Sequence, residues 1–218
     1  MSRFLTQSAE FLPILLTGVK LTIIVTVGSL AVSTVLGLIW ALMRVSGIRV
    51  LAAISRTIIN IIRGIPIIVQ LFYIYFVLPD FGITLSALQA AIIGLGIAYS
   101  AYQAENFRAG IEAIDHGQIE AAQSIGMGWA LMMRRVILPQ AVRIVLPPYG
   151  NTMIMMLKDS SQASTITVAE LALQGKLIAS ATFQNSTVFT LVALLYLTMS
   201  IPLILVVGWL EKRFGRKS

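Results

Sequence analysis

Gly117-Gln118-Ile119-Glu120-Ala121-Ala122-Gln123-Ser124-Ile125-Gly126 begins a polar insert that runs on through Arg134-Arg135 to Ile137-Leu138-Pro139. Long apolar segments flank it, and between such segments a membrane chain ordinarily carries only a plain connecting loop. Glu120, Ala121 and Ala122 are strong helix formers, so the spacing predicts a short helix at about 117–126. Gly126 suits the end of that helix, where a positive φ costs glycine nothing. A short helix, a glycine stop and a proline together suit an element held by a soluble partner.

The rest of the 218-residue chain points to a membrane. It is 57% hydrophobic and 11% charged, with a mean hydropathy of +0.88. Polar groups are too few to cover a water-facing surface of that size. The formal charge of +7 does not call for nucleic acid, because basic residues in a membrane chain mark its cytoplasmic side and no aromatic–basic patch accompanies them. Without cysteine there are no disulfides, thiolate catalysis or cysteine-based metal sites. Met1 to Leu16 holds one Arg, one Glu and Pro13 but no small-residue cleavage site, so it does not read as a cleavable signal. Residues 4–16 are read as an amphipathic segment at the membrane surface or as a disordered tail.

Roughly 20 mostly apolar residues span the hydrocarbon core as a helix, and five segments meet that requirement. They fall at about 21–43, 52–78, 85–107, 141–157 and 187–210. The second contains Pro66, the fourth Pro147-Pro148 and the fifth Pro202. If the first, third and C-terminal connections are cytoplasmic, they collect twelve of the sixteen Lys and Arg residues, Arg216 and Lys217 included. The expected protein is therefore all-α and integral to the membrane, one domain over 1–218, with its N-terminus outside and its C-terminus in the cytoplasm.

Enzyme chemistry finds no footing. Gly175-Lys176 is followed by Leu177 and lacks the upstream glycine of a phosphate loop. His116 is the only histidine and reads as a solvated residue beside Asp115, so no metal site is expected. Gly94-Leu95-Gly96 lacks the third glycine of a dinucleotide fingerprint and is read as a place where two helices approach closely. If ATP energises this protein, another chain supplies the ATPase.

The insert resembles the EAA motif of ABC importer permeases: Glu-Ala-Ala, three residues, Gly, nine residues, Ile, one residue, Leu-Pro. Here the match is Glu120-Ala121-Ala122, Gly126 and Leu138-Pro139, with Val136 at the Ile position. Three further segments are similar to the polar amino acid permeases of that family. Arg63-Gly64-Ile65-Pro66-Ile67-Ile68-Val69-Gln70 looks like Arg-Gly-Thr-Pro-Leu-Leu-Val-Gln, with Ile65 for Thr. Tyr102 to Ile111 looks like Tyr-x-x-Glu-x-x-Arg-x-Gly-Ile, and Lys158-Asp159-Ser160-Ser161-Gln162 looks like Lys-Asp-Thr-Ser-Leu. With Pro139-Gln140-Ala141 and Val168-Ala169-Glu170-Leu171, the resemblance covers nearly the whole chain.

What the resemblance implies is a type I ABC importer fold and a permease subunit for polar amino acids in the bacterial inner membrane. An ABC ATPase dimer carries the ATP and magnesium, a second permease subunit (identical or paralogous) encloses the path, and a periplasmic or lipid-anchored binding protein delivers the amino acid. The chain itself binds no cofactor. Gly117, Glu120, Ala121, Ala122 and Gly126 would form the coupling helix seated in an ATPase groove. Arg63 and Gln70 lie at a helix break and are candidates for the substrate pathway, with Arg63 facing either that pathway or the headgroups. Glu105 and Arg108, three residues apart, are read as a structural ion pair, with substrate contact as the alternative. Asp159, Lys158, Ser160, Ser161 and Gln162 follow the span that Pro147-Pro148 is expected to break. They would either meet the amino acid or form a loop salt bridge at the outer surface. The alternative function is an ATP-independent secondary amino acid transporter.

Overall fold

The structure, a computed structural model, describes residues 2–214, with side chains from Gln7 onward. Arg216 and Lys217 of the charge bias lie outside the described residues, as does the side chain of Arg3. Nine α-helices run through the described residues: α1 (Ser2–Val45), α2 (Arg49–Gly64), α3 (Ile67–Phe72), α4 (Ala87–Glu112), α5 (His116–Ser124), α6 (Trp129–Met132), α7 (Leu138–Asp159), α8 (Leu171–Thr182) and α9 (Asn185–Phe214). Wide π turns at Tyr73–Val77 and Met133–Ile137, and tight 3-10 turns at Leu78–Phe81 and Ser160–Ile166, complete the path among the described residues. The π turn at Met133–Ile137 comes just before Pro139, which has no N–H for an i to i−4 bond.

The centre is α4, laid along α1. Its buried side chains are mostly small, with Ala90, Ala91, Ala98, Ala101 and Ala104 all covered. Such residues let backbones approach, which substitutes for the hydrophobic drive that lipid removes. Gly96 shows how close the approach is, since a Cβ there would sit 2.5 Å from Val32 Cγ1 and 2.6 Å from Val32 Cβ on α1. Gly96→Leu should therefore force α1 and α4 apart, at a cost of about 1–3 kcal/mol. A fall of several degrees in the melting temperature of the purified complex is the expected readout, and an unchanged value would show that the contact yields.

Among the described residues, two helices are long and apolar enough to cross a membrane, Gln7–Val45 and Asn185–Phe214; a third exists if Arg49–Gly64 and Ile67–Phe81, bent by 98°, form one broken span. The five expected segments fall on α1, α2 with α3, α4, α7 and α9. Both α4 and α7 are less apolar than α1 and α9, and they sit inside the helix packing, where neighbouring protein rather than lipid covers them.

Two expectations change. Residues 4–16 are neither a separate surface segment nor a tail, because α1 runs unbroken through Pro13. Phe11 and Leu15 are buried there against Leu171, Ile178, Val188 and Leu191 of α8 and α9. The helix break expected at Pro66 is present, with Ile65 extended and Pro66 restarting the chain as α3. The second correction concerns Pro147-Pro148, through which α7 passes without a break. Thr152 donates to the Pro148 carbonyl at 2.9 Å, and packing against α4 and α9 holds the helix together. The interruption comes later, in the 3-10 turn that ends at Thr167 with φ 68°.

Candidate functional site

At one end of the bundle, α5 is set by its caps. Asp115 Oδ1 accepts from the Gly117 N–H at 2.7 Å, satisfying a donor that a helix start leaves free. Gly126 closes the other end at φ 78°, and Met127 N–H returns to the Ala122 carbonyl at 3.0 Å. The two alanines then part company. Ala121 and Glu120 are exposed, whereas Ala122 is 4% exposed and packs with Ile114, Met132, Met133 and Ile137. Ala122 thus fixes α5 to its own chain, and the face offered outward is Glu120, Ala121 and the 74%-exposed Ile125. Ile125 carries no polar group, and its exposure becomes visible only once the turn at Gly126 is in place. His116 is exposed at the first position of α5.

Beside this element, Arg108 donates to Glu105 Oε2 through Nε at 2.9 Å and Nη2 at 2.6 Å, and it also pairs with Glu112. Arg44, from the end of α1, approaches Glu105 Oε1 at 3.9 Å. Two Arg108 nitrogens thus converge on one Glu105 oxygen, and partial burial of both side chains, each 28% exposed, makes the pair stronger than a fully solvated one. The cluster ties the end of α1 to α4.

The residues expected to meet an amino acid divide into two groups. Gln70 is occupied by the helix break, its Nε2 donating to the Ile62 carbonyl at 2.8 Å and the Ile65 carbonyl at 2.9 Å. Ile62 O is the acceptor that Pro66, lacking an N–H, leaves without its ladder donor. Ser160 and Ser161 donate to the Leu157 and Lys158 carbonyls of their own turn, at 2.7 and 2.8 Å. Gln162 is half-buried and Lys158 is exposed; among the described residues Lys158 and Asp159 form no ion pair with each other.

Arg63 and Asp159, by contrast, are joined through two tyrosines. The Tyr99 hydroxyl donates to Asp159 Oδ2 at 2.6 Å. The rings of Tyr99 and Tyr102 lie 5.7 Å apart, and Arg63 Cζ lies 5.7 Å from the centre of the Tyr102 ring. Tyr99 is buried and Tyr102 is 39% exposed, so an aromatic wall connects a cation on α2 with an anion at the end of α7. Sequence reading passed over Tyr99, although a phenol inside an apolar helix three residues from Tyr102 signals a partner for its hydroxyl. No group of three or more His, Cys, Asp or Glu among the described residues is placed to hold a metal.

The description "binding-protein-dependent transport system inner membrane component" fits the chain over residues 33–216. The chain is 39% identical to the probable glutamine ABC transporter permease protein GlnM of Bacillus subtilis (strain 168), covering 89% of this chain and 90% of that protein. It is 38% identical to the L-cystine transport system permease protein TcyB of the same organism, over 95% and 89% of the two chains. A crystal structure of an amino acid ABC transporter with histidines superposes with a TM-score of 0.89 at 38% identity, covering 96% of this chain and 98% of that one. An inward-facing structure of the MetNI methionine ABC transporter, 24% identical with a TM-score of 0.79, shares the fold over 94% and 98% of the chains.

Proposed function

The chain belongs to the family of binding-protein-dependent transport system inner membrane components, and from that membership we propose how its geometry imports a polar amino acid across the bacterial inner membrane. It is the membrane-spanning permease subunit of an amino-acid ABC importer, with the type I importer fold. The family match over 33–216 carries this reading, because it spans α5, the broken segment and the α7 end together. No relative or solved neighbour named above favours the ATP-independent alternative.

ATP and magnesium belong to an ATPase dimer on the cytoplasmic side, the side that the Lys and Arg distribution assigns to α5. A binding protein delivers the amino acid to the opposite side, and a second permease subunit completes the path. The outward face of α5 sits on the ATPase through Glu120, Ala121 and Ile125. Ala122 keys α5 to Met133 and Ile137 at the foot of α7, so motion of α5 is delivered to that helix. At 1.5 Å per residue, the 22 residues of α7 carry it about 33 Å to Asp159. There Asp159 receives the ammonium group of the substrate, and Arg63, across the tyrosine wall, receives its carboxylate. ATP binding turns the pathway outward, and hydrolysis returns it inward.

The test is uptake of radiolabelled glutamine and cystine into proteoliposomes holding the complete complex. With an ATPase subunit unable to hydrolyse ATP, uptake should fall to the background of empty vesicles. Uptake that persists would refute an ATP-driven importer.

A further inference from the structure

Glu170 is a carboxylate with no exposed surface, placed where three helices meet, and its surroundings are all donors. It caps α8, with Oε1 accepting from Leu173 N–H at 2.9 Å and Oε2 from Ala172 N–H at 2.9 Å. Oε2 also accepts from the Tyr196 hydroxyl of α9 at 2.9 Å and from Thr22 Oγ1 of α1 at 3.5 Å. Thr22 in turn accepts from the Leu171 N–H at 3.2 Å, and one turn earlier Gly18 lies so close that a Cβ would sit 2.8 Å from Leu171 Cα.

We propose that Glu170 is the positioning residue of the candidate substrate site, locking the turn that follows Asp159 onto α1 and α9. This rests on the reading that Asp159 meets the amino acid. Ten residues lie between Asp159 and Glu170. The 3-10 turn and the residues after it pack Ala163, Ile166 and Val168 into the core, and the carboxylate cluster supplies the buried polar anchor just past the far end of that turn. An ordinary helix cap needs one or two acceptor sites and sits near water, where a serine or asparagine serves. Here four donors converge on one buried anion, and two of them are backbone N–H groups that cannot rotate away. A glutamine would present its own N–H₂ to at least one of those donors and leave it unpaired in a dry site. Freed from the clamp, Leu171 separates from Gly18, and the start of α8, where the chain from Asp159 arrives, loses its tie to α1 and α9. Asp159 then keeps its charge but loses its aim.

The experiment compares wild type, Glu170→Gln, Tyr196→Phe and Asp159→Asn in the complete complex in proteoliposomes. Amide hydrogen exchange over 160–173 and the kinetics of radiolabelled glutamine and cystine uptake are read together. Glu170→Gln should speed exchange at Ala172 and Leu173 at least tenfold, leave 116–126 unchanged, and raise KM about tenfold with the maximal rate within twofold. Tyr196→Phe should show the same pattern at about a third of the size, and it carries the test if the Gln variant fails to assemble. Unchanged exchange in both variants overturns the clamp. Faster exchange with unchanged KM reduces Glu170 to a structural cap and overturns the positioning role. If Asp159→Asn is silent while Glu170→Gln still raises KM, the positioning role stands and the assignment of Asp159 fails.

Discussion

Glu120→Arg is expected to leave the permease folded in the membrane yet abolish the stimulation of ATP hydrolysis by substrate-loaded binding protein. Glu120 is exposed on α5, and its side chain forms no ion pair among the described residues, so the protein's own fold does not depend on it. The backbone beneath it is fixed independently by Asp115, Ala122 and Gly126. What changes is therefore the face presented to the ATPase. On the proposed docking, reversing the charge at Glu120 loses one contact and adds a repulsion, about 2–5 kcal/mol for a desolvated partner. At 1.4 kcal/mol per factor of ten, docking weakens by roughly 30-fold or more. Phosphate release from proteoliposomes should then stay at its basal rate when binding protein and amino acid are added. Glu120→Gln, which only removes the charge, should retain part of the stimulation. Full stimulation with Arg at this position would remove Glu120 from the coupling contact.

The legible parts of this fold were those governed by local backbone chemistry. Gly126 was readable as a helix stop because glycine alone takes a φ near 78° freely. Pro66 was readable as a break because proline removes a donor wherever it stands. Pro147-Pro148 looked like a break for the same reason, yet α7 continues because neighbours on two sides hold it. Tertiary packing overrode the local cost. Residues 4–16 went unplaced because their partners lie on α8 and α9, far along the chain. Glu170 was invisible as a hub on the same ground: Thr22 is 148 residues away from it and Tyr196 is 26. Gln70 was named, but for the substrate pathway rather than for the break it caps. It stands four residues after Pro66, and its amide sits where the lost ladder donors were. In the candidate site, the charges Arg63 and Asp159 could be named from their rarity in apolar sequence. That two tyrosines connect them follows only from the packing of α2, α4 and α7.

Asp159→Asn should remove most uptake while leaving the protein folded and its basal ATP hydrolysis intact. The substitution keeps the shape of the side chain, and an asparagine oxygen can still accept from Tyr99, so α4 and α7 remain joined. Tyr99 engages only Oδ2, which leaves the other carboxylate oxygen available to an ammonium group. A charge-assisted bond of this kind contributes about 1.5–3 kcal/mol, and more where water is scarce. Its loss should raise the KM for the imported amino acid by roughly 10- to 150-fold. Tyr99→Phe provides the internal scale: it keeps the charge but frees Asp159 to rotate, so a rise of about tenfold or less is expected. The two variants should also differ in what they spare. Neither touches α5, about 33 Å away along α7, so basal phosphate release should match wild type in both. Wild-type KM and maximal rate in Asp159→Asn, measured with glutamine and cystine, would exclude this carboxylate from substrate contact and move the search to Arg63 and the exposed edge of Tyr102.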